Sequence, residues 1–208
     1  MRVYAVVGGI AAGKTTVARA LARGRGVRVD ADRIGHAVLR LERVRRRLLA
    51  QFGPDIFAGE GRVDRRRLGA MVFGKPARLR RLDAIVHPEI ARRLRSKLEA
   101  LQRRGVAVAI LDAALFFELD LGQSVDGVLA VTAPRRVRRA RLQAQRGLSA
   151  VEAEARLRSQ PRLATWTRRA DVRIDTDCSL PVLRARIERA WRELWRLRRR
   201  RATGRGTP

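Results

Sequence analysis

Cysteine, lysine and aromatic residues are scarce in this chain, and its apolar runs are short. The single cysteine, Cys178, excludes an intrachain disulfide and is typical of a protein in a reducing cytoplasm. No apolar run approaches the roughly 20 residues that a membrane-spanning helix needs, so we expect no membrane anchor. The first apolar run is also too short for a signal peptide, and we therefore expect a cytoplasmic protein.

Arginine dominates the charge of the chain. The formal net charge is +28, and all but three of the 48 basic residues are arginine. Such a charge is typical of proteins that bind nucleic acids or membrane surfaces. The arginines are scattered, however, and only 4% of the residues are aromatic side chains on which bases could stack. We therefore favour solvated arginine-rich faces, whose field would also attract an anionic substrate. No pattern indicates an oligomer, and a monomer is favoured.

The strongest motif lies at the start of the chain. An apolar run over 3–7 leads into Gly8-Gly9-Ile10-Ala11-Ala12-Gly13-Lys14-Thr15-Thr16. A buried strand, G-x-x-x-x-G-K-[ST] and a helix form the pattern of a phosphate-binding loop. The glycines leave backbone N–H groups open to phosphate, and the helix N-terminus favours negative charge. The pattern predicts ATP binding, with Lys14 on the β- and γ-phosphates, Thr15 on Mg²⁺, and further contacts from Gly9, Ala11, Ala12, Gly13 and Thr16.

Short apolar runs alternate with helical periodicity along the rest of the chain. This alternation predicts an α/β fold of the P-loop NTPase type, a three-layer core whose five-stranded parallel sheet is covered by helices. The predicted strands are 2–7, 27–29, 106–111, 127–131 and 172–174. The second and third strands are too far apart for one crossover, so residues 33–104 are predicted to form an inserted helical domain.

Inside the insertion, 52–55 and 59–61 resemble turns, and helices are predicted over 65–73 and 77–86. Pro88 is predicted to open a separate helix over 89–103, since proline is favoured in a first helical turn. Residues 134–169 form a second basic helical excursion, which is either a lid that closes over phosphate or a plain surface hairpin. Ser149 and Glu152 match a capping box that starts a new helix there.

The core segments are then about 1–32, 105–133 and 170–197. An amphipathic helix is predicted over 180–197, with Trp191 and Trp195 packed rather than binding a ligand. The basic tail from 198 to 208 is predicted to be disordered.

Carboxylates follow two predicted strands. Asp30 and Asp32 end the second strand and Asp112 follows the third, at the sheet edge where open α/β folds bind ligands. Either aspartate of the first pair could be a helix cap, but Asp32 is favoured as the base that accepts a proton from an attacking hydroxyl. Asp112 is a candidate for holding Mg²⁺ through water, and a cap is the alternative. His87, before Pro88, is predicted to be structural or to contact the substrate.

Taken in order, these motifs resemble those of the dephospho-coenzyme A kinase family over about residues 2–195. Beside the phosphate loop, Asp30-Ala31-Asp32 resembles the second-strand motif of that family. The segments 61–68 and 82–88, with Asp64-Arg65 and His87-Pro88, resemble its substrate-domain signatures. The further matches are 112–118, Val72-Phe73, Arg141-Leu142, Gly147-Leu148-Ser149, Gln160 and Ala170-Asp171. The phosphate loop alone would name only a superfamily, whereas this ordered set is far more specific.

The resemblance implies ATP-dependent phosphorylation of the 3′-hydroxyl of dephospho-coenzyme A, the last step of coenzyme A synthesis. It implies that Asp32 and Lys14 are catalytic and that Arg141 is a lid residue contacting ATP. It also implies that Asp64, Arg65 and His87 bind the substrate. A single kinase domain over 1–200 would contain the sheet core, the substrate domain and the lid.

Four positions depart from the family pattern. Ala114 replaces a common proline, Gln145 a second lid arginine, Trp166 a basic residue, and Thr176 an asparagine. Three of these lie on the side expected to close over the nucleotide. A long guanidinium can reach a phosphate from a neighbouring position, so candidate substitutes are Arg146, Arg168 and Arg169.

Two other functions stay open on the sequence alone. One is a P-loop kinase for another nucleoside or nucleotide, against which the Asp-Arg and His-Pro motifs argue. The other is a basic P-loop protein that binds nucleic acid without turnover, against which the retention of Lys14, Thr15, Asp32 and Asp112 argues. We therefore predict a kinase whose ligands are ATP, Mg²⁺ and dephospho-coenzyme A.

Overall fold

The computed structural model describes residues 1–72, 74–114, 116–119, 121, 125–158 and 163–203. A five-stranded parallel sheet forms its centre, with strand order β2-β5-β1-β6-β7, and a two-stranded antiparallel hairpin pairs β3 with β4. The strands are β1 (Arg2–Gly8), β2 (Val27–Asp30), β3 (Phe57–Ala58), β4 (Arg62–Val63), β5 (Val108–Asp112), β6 (Gly127–Thr132) and β7 (Val172–Asp175). The predicted α/β fold and its five parallel strands are confirmed.

Nine α-helices are present in the described part of the chain. They are α1 (Lys14–Ala22), α2 (Ala31–Val38), α3 (Glu42–Phe52), α4 (Arg65–Val72), α5 (Pro76–Arg103), α6 (Arg135–Arg146), α7 (Ala150–Arg158), α8 (Leu163–Arg169) and α9 (Leu180–Thr203). No helix among these residues is both long and apolar enough to cross a membrane.

The central strand β1 supplies both faces of the core, because successive side chains of a strand point to opposite faces. Val3, Ala5 and Val7 join the apolar cluster that includes α5, whereas Tyr4 and Val6 join the cluster formed with α1 and α9. Trp191 and Trp195 pack against this second cluster, as predicted. Both faces of the sheet are therefore covered. The edge formed by the carboxyl ends of its strands is left for ligand binding.

The prediction that Pro88 opens a separate helix is wrong, because α5 runs through it without a break. Proline has no N–H, so the carbonyl of Ala84, four residues earlier, loses its helical donor. The Arg47 guanidinium from α3 lies 3.5 Å from that carbonyl. Burial of Ile85, Ile90 and other apolar side chains of α5 in the core stabilises the continuous helix despite the proline.

The two helical excursions have the following structure. Residues 33–104 contain α3, α4, α5 and most of α2, and the short hairpin of β3 and β4 there was not predicted. Residues 134–169 contain α6, α7 and α8. The capping box that starts α7 is confirmed, since Glu152 N–H donates to Ser149 Oγ at 3.2 Å and Ser149 N–H donates back to Glu152 at 2.9 Å.

The last helix, α9, continues to Thr203, beyond its predicted end at Leu197. The predicted basic tail therefore begins inside a helix, and its residues 204–208 lie outside the described part of the chain. Phe73, Leu115 and Gln160, which carry part of the family resemblance, also lie outside the described residues.

Candidate active site

The phosphate loop joins β1 to α1 at the carboxyl edge of the sheet. Gly13 precedes α1 in the left-handed conformation, with φ of 87°, which a glycine adopts without strain. Gly8 ends β1 where a Cβ would lie only 2.6 Å from the Val131 carbonyl of β6, so glycine is required there as well. No side chain of the described residues caps α1, and its first N–H groups therefore stay open to an anion.

Ala11, in the middle of the loop, has a φ of 57° and is the non-glycine residue with left-handed backbone in the described chain. This conformation is costly for a residue with a Cβ, and such strain is concentrated at functional sites. The guanidinium of Arg141, on α6, donates from Nη1 to the Ala11 carbonyl at 3.3 Å. The structure thus brings Arg141 to the phosphate loop.

A charged cluster lies beside this loop, where β2 and β5 end next to each other with Asp30 paired to Asp112 in register. The Asp112 carboxylate is 1% exposed and accepts a hydrogen bond from the Lys14 ammonium. A buried carboxylate needs such partners, because burying an unpaired charge is costly. Lys14 and Asp112, which were predicted to share the site, are in direct contact.

Arg28 is a member of this cluster that sequence reasoning missed. From β2, its Nε and Nη2 donate to Asp112 Oδ2 at 2.9 and 2.6 Å, and Nη2 also donates to Asp30 at 2.7 Å. Its guanidinium therefore joins the two carboxylates at the ends of neighbouring strands. The available signal was the spacing of Arg28 and Asp30, two residues apart in a strand and hence on one face.

The two aspartates at the end of β2 have different roles. Asp30 caps α2, because its Oδ1 accepts from the Arg33 N–H at 3.0 Å. Desolvation acts to raise the pKa of Asp30, but the Arg33 N–H and the Arg28 charge outweigh it and hold the pKa below its ordinary value. Asp32 lies in the first turn of α2, after Asp30. Because Asp30 is the capping residue, the Asp32 carboxylate is not needed for that role.

Asp32 is exposed, yet nearby protein removes part of the water around its carboxyl. This desolvation raises the pKa of Asp32 above its ordinary value, while the Lys14 charge opposes the rise. The charges of Asp112 and Asp30 act in the same direction as desolvation. A higher pKa makes a carboxylate a stronger proton acceptor, so this environment suits a general base.

The oxygen donors at the loop are of the kind that Mg²⁺ prefers, namely the Thr15 hydroxyl at the start of α1 and the Asp112 carboxylate. Both Asp112 oxygens also accept from cations, Oδ1 from Lys14 and Oδ2 from Arg28. The described residues contain no cluster of three His, Cys, Asp or Glu side chains able to hold a metal ion. The donors therefore fit an ion that takes most of its ligands from phosphates and water.

A cavity of about 570 Å³ opens one helical turn beyond Asp32. His36 on α2 lines it, and His36 Nε2 lies 2.5 Å from Arg65 Nη1 on α4. The remaining lining residues are Leu39, Arg40, Arg45, Arg62 and Val63. Four arginines and one histidine make this cavity suited to an anionic ligand.

Two residues that were predicted to bind substrate do not line this cavity. Asp64 Oδ1 accepts from the N–H groups of Arg66 and Arg67 at 2.8 and 3.2 Å, so it caps α4, and these bonds lower the pKa of Asp64. His87 lies inside α5, mostly buried, with Nε2 3.3 Å from Asp83 Oδ1. Of the three predicted substrate residues, the structure brings only Arg65 to the cavity.

Comparison with known proteins assigns the family. The sequence profile of dephospho-CoA kinase matches residues 2–181. A dephospho-CoA kinase from Symbiobacterium thermophilum is 39% identical over 193 residues, which are 92% of this chain and 81% of the relative. This chain belongs to the dephospho-CoA kinase family.

Other relatives agree with this assignment. A dephospho-CoA kinase from Geobacter sulfurreducens is 38% identical over 192 residues, covering 92% of this chain and 98% of the relative. The solved structure of the Thermus thermophilus protein TT1252 superimposes with a TM-score of 0.76 at 33% identity, over 94% of this chain and 96% of that one. Family membership makes the chain a phosphotransferase with a P-loop kinase fold.

Proposed function

We propose that this chain transfers the γ-phosphoryl group of ATP to the 3′-hydroxyl of dephospho-CoA, giving CoA and ADP. One observation carries this proposal. The phosphate loop, the Asp32 carboxylate and the arginine-lined cavity lie in succession along one edge of the sheet. ATP would occupy the loop, and the acceptor would reach Asp32 from the cavity.

Asp32 is the proposed general base. The 3′-oxygen forms a bond to the γ-phosphorus, the bond from that phosphorus to the bridging oxygen of ADP breaks, and the hydroxyl proton passes to the Asp32 carboxylate. The raised pKa of Asp32 supports this role. Asp30 is less suited to it, because its carboxylate already caps α2 and binds Arg28.

Lys14 and the N–H groups at the start of α1 are proposed to bind the phosphates of ATP. Lys14 contacts Asp112, and a phosphate would offer the ammonium a second anionic partner. Thr15 and Asp112 would hold Mg²⁺, which neutralises charge on the transferred group when bound. The remaining loop contacts would come from Gly9, Ala11, Ala12, Gly13 and Thr16.

The arginine-lined cavity is the proposed site of the acceptor. Dephospho-CoA carries a diphosphate between its adenosine and pantetheine parts, and guanidinium groups bind phosphate oxygens in pairs. Arg65 keeps its predicted role here, in contact with His36. Asp64 and His87 would act by holding α4 and α5 in place, since neither lines the cavity.

The predicted lid, residues 134–169, is proposed to close over the nucleotide. Arg141 supports this proposal, because it already reaches the loop from α6. Gln145 lies on the same helix face one turn later, in a shallow surface pocket with Arg141. We also propose a cytoplasmic location, and the single cysteine, typical of a protein in a reducing compartment, supports it.

The test is ADP release from ATP and Mg²⁺ with a panel of acceptors: dephospho-CoA, adenosine, a nucleoside monophosphate and a single-stranded RNA. We expect release that depends on dephospho-CoA and a product phosphorylated at the 3′-position, identified by mass spectrometry and ³¹P NMR.

A matched pair of variants tests the cavity. Arg65→Gln should raise KM for dephospho-CoA and leave KM for ATP unchanged. Arg66→Gln, outside the cavity lining, should alter neither constant. Turnover with another acceptor alone, or none in folded protein that binds ATP, would contradict the proposal.

A further inference from the structure

Thr176, which follows β7, is one of the few fully buried polar residues of the described chain, with 2% of its surface exposed. Its N–H donates to the Thr132 carbonyl at 2.9 Å, which continues the pairing of β6 with β7. Its Oγ1 donates to the carbonyl of Ala12 in the phosphate loop at 2.9 Å. The sheet therefore fixes Thr176, and its hydroxyl reaches the loop.

The same threonine provides two acceptors for Arg141. Nη1 of the guanidinium donates to Thr176 Oγ1 at 2.8 Å, and Nη2 donates to the Thr176 carbonyl at 2.8 Å. Two parallel bonds fix the plane of the guanidinium as well as its position. We call this arrangement the Thr176–Arg141 clamp.

The clamp acts on the strained part of the phosphate loop. It donates to two successive loop carbonyls, from Arg141 to Ala11 and from Thr176 to Ala12. Ala11 has left-handed backbone, a conformation that persists only when surrounding contacts hold it. A Cβ at Gly13 would lie 3.4 Å from Thr176 Oγ1 and 3.7 Å from Arg141 Nη1, so the clamp also lies directly against the last glycine of the loop.

The guanidinium keeps donors for a ligand. The three bonds to Thr176 and Ala11 use three of its five N–H groups. Among the described residues no further partner of Arg141 is seen, so Nε–H and one Nη2–H are available to an anion. The guanidinium lies against the phosphate loop, where the helix N-terminus already favours phosphate.

We propose that Thr176 is a positioning residue of the nucleotide site, whose hydroxyl holds Arg141 against the phosphate loop before ATP binds. The arginine then meets the phosphates of a nucleoside triphosphate already oriented, and binding avoids the cost of ordering a long side chain. This inference rests on the proposed function only in requiring that a nucleotide occupies the loop. Thr176 is also the position where the family pattern has asparagine, and the hydroxyl supplies a polar contact there.

The first test is Thr176→Val, which removes the hydroxyl and keeps the shape of the side chain. It leaves the buried Ala12 carbonyl and Arg141 Nη1 each without one partner. Hydrogen bonds to charged groups are strong enough that we expect ATP to bind about tenfold more weakly by calorimetry. Thr176→Ser, which keeps the hydroxyl, should bind ATP within about twofold of the wild type.

The matched control is Thr132→Val. Thr132 lies on the neighbouring strand, and its Oγ1 donates to the Ile174 carbonyl of β7 at 3.2 Å. We expect unchanged ATP affinity in this variant. ATP affinity of wild-type strength in Thr176→Val, or an equal loss in Thr132→Val, would overturn the proposal. If Thr176→Val does not fold, Thr176→Ala is compared with Thr176→Ser in the same measurement.

A double-mutant cycle separates positioning from a general structural role. If Thr176 acts through Arg141, then Thr176→Val should weaken ATP binding by less than about twofold in an Arg141→Gln background. An unchanged tenfold loss in that background would show that Thr176 acts on the loop without Arg141, and would overturn the positioning role. These measurements use ATP alone, so a failure of the proposed acceptor would appear as absent turnover with intact ATP binding and would leave this inference standing.

Discussion

Glu89 joins two helices of the inserted domain and gives a prediction whose size can be worked out. From α5, it accepts hydrogen bonds from Arg92 at 2.7 Å, from Arg43 of α3 at 3.1 Å and from Arg93 at 3.3 Å, and only 9% of its surface is exposed. The hydrogen bond from Arg92, with those from Arg43 and Arg93, outweighs desolvation and lowers the pKa of Glu89 from 4.5 to about 2.

The pKa shift of Glu89 sets an upper limit on the stability that Glu89→Gln should lose. At about 1.4 kcal/mol per pH unit, a shift from 4.5 to about 2 corresponds to at most about 3.5 kcal/mol of stability. The three arginines are 37–58% exposed, and solvent weakens their attraction, so we expect about 1.5 kcal/mol. Glu89→Gln should therefore lower the free energy of unfolding at pH 7 by that amount, or the melting temperature by about 4 °C.

The pH dependence has a defined sign. Because folding lowers the pKa of Glu89, its contribution is complete above pH 4.5 and is lost as the pH falls toward 2. Urea unfolding followed by circular dichroism should give a difference between wild type and Glu89→Gln that shrinks to less than half at about pH 3. Glu99→Gln, at an exposed position of the same helix, is the control and should cost little at either pH. An equal difference at both pH values would refute the reasoning.

Two further predictions concern buried charges. Arg28→Met should lower the free energy of unfolding by about 2 kcal/mol in urea and slow ADP release, because among the described residues Asp112 would keep only Lys14 as an ion-pair partner. Arg28→Lys should restore only part of the stability and of the rate of ADP release, since an ammonium cannot join two carboxylates as a guanidinium does. Wild-type stability of Arg28→Met would contradict this account. Arg138 is 8% exposed, with Nε and Nη1 lacking partners among the described residues, and desolvation together with Arg135 lowers its pKa. Arg138→Leu should therefore raise the melting temperature of the ATP-free protein by about 2 °C or more, and a decrease would show that the guanidinium is compensated.

The parts of the site that follow local rules were predictable from the sequence. The phosphate loop and the capping box of Ser149 are encoded within a few consecutive residues, and the structure places them as predicted. Asp30 and Asp112 were found for a similar reason, since the end of a buried strand is visible in the sequence and parallel strands end at one edge.

The rest depends on which segments become neighbours. Arg28 became part of the site through the pairing of β2 with β5, and the spacing of Arg28 and Asp30 does not show that Asp112 lies on the neighbouring strand. The role of Thr176 likewise depends on contacts with Ala12 and Arg141, far away in the chain. Pro88 shows the opposite case, because the local rule for a helix start was overridden by packing of α5 in the core.

Asp64 shows how a motif can be recognised while its direct role stays a prediction. The family resemblance placed it with the substrate, and in the structure its carboxylate caps α4, the helix that brings Arg65 to the cavity. A residue that positions a helix and a residue that touches a ligand leave the same short signature in a sequence.

Asp32→Asn tests the central claim most directly, because asparagine keeps the size of the side chain and cannot accept the proton. The measurement pairs dephospho-CoA-dependent ADP release with ATP binding by calorimetry on the same folded sample. If Asp32 is the base, turnover should fall by about 100-fold or more while the Kd for ATP stays within about twofold. Turnover close to the wild-type rate, or loss of ATP binding in folded protein, would contradict the account.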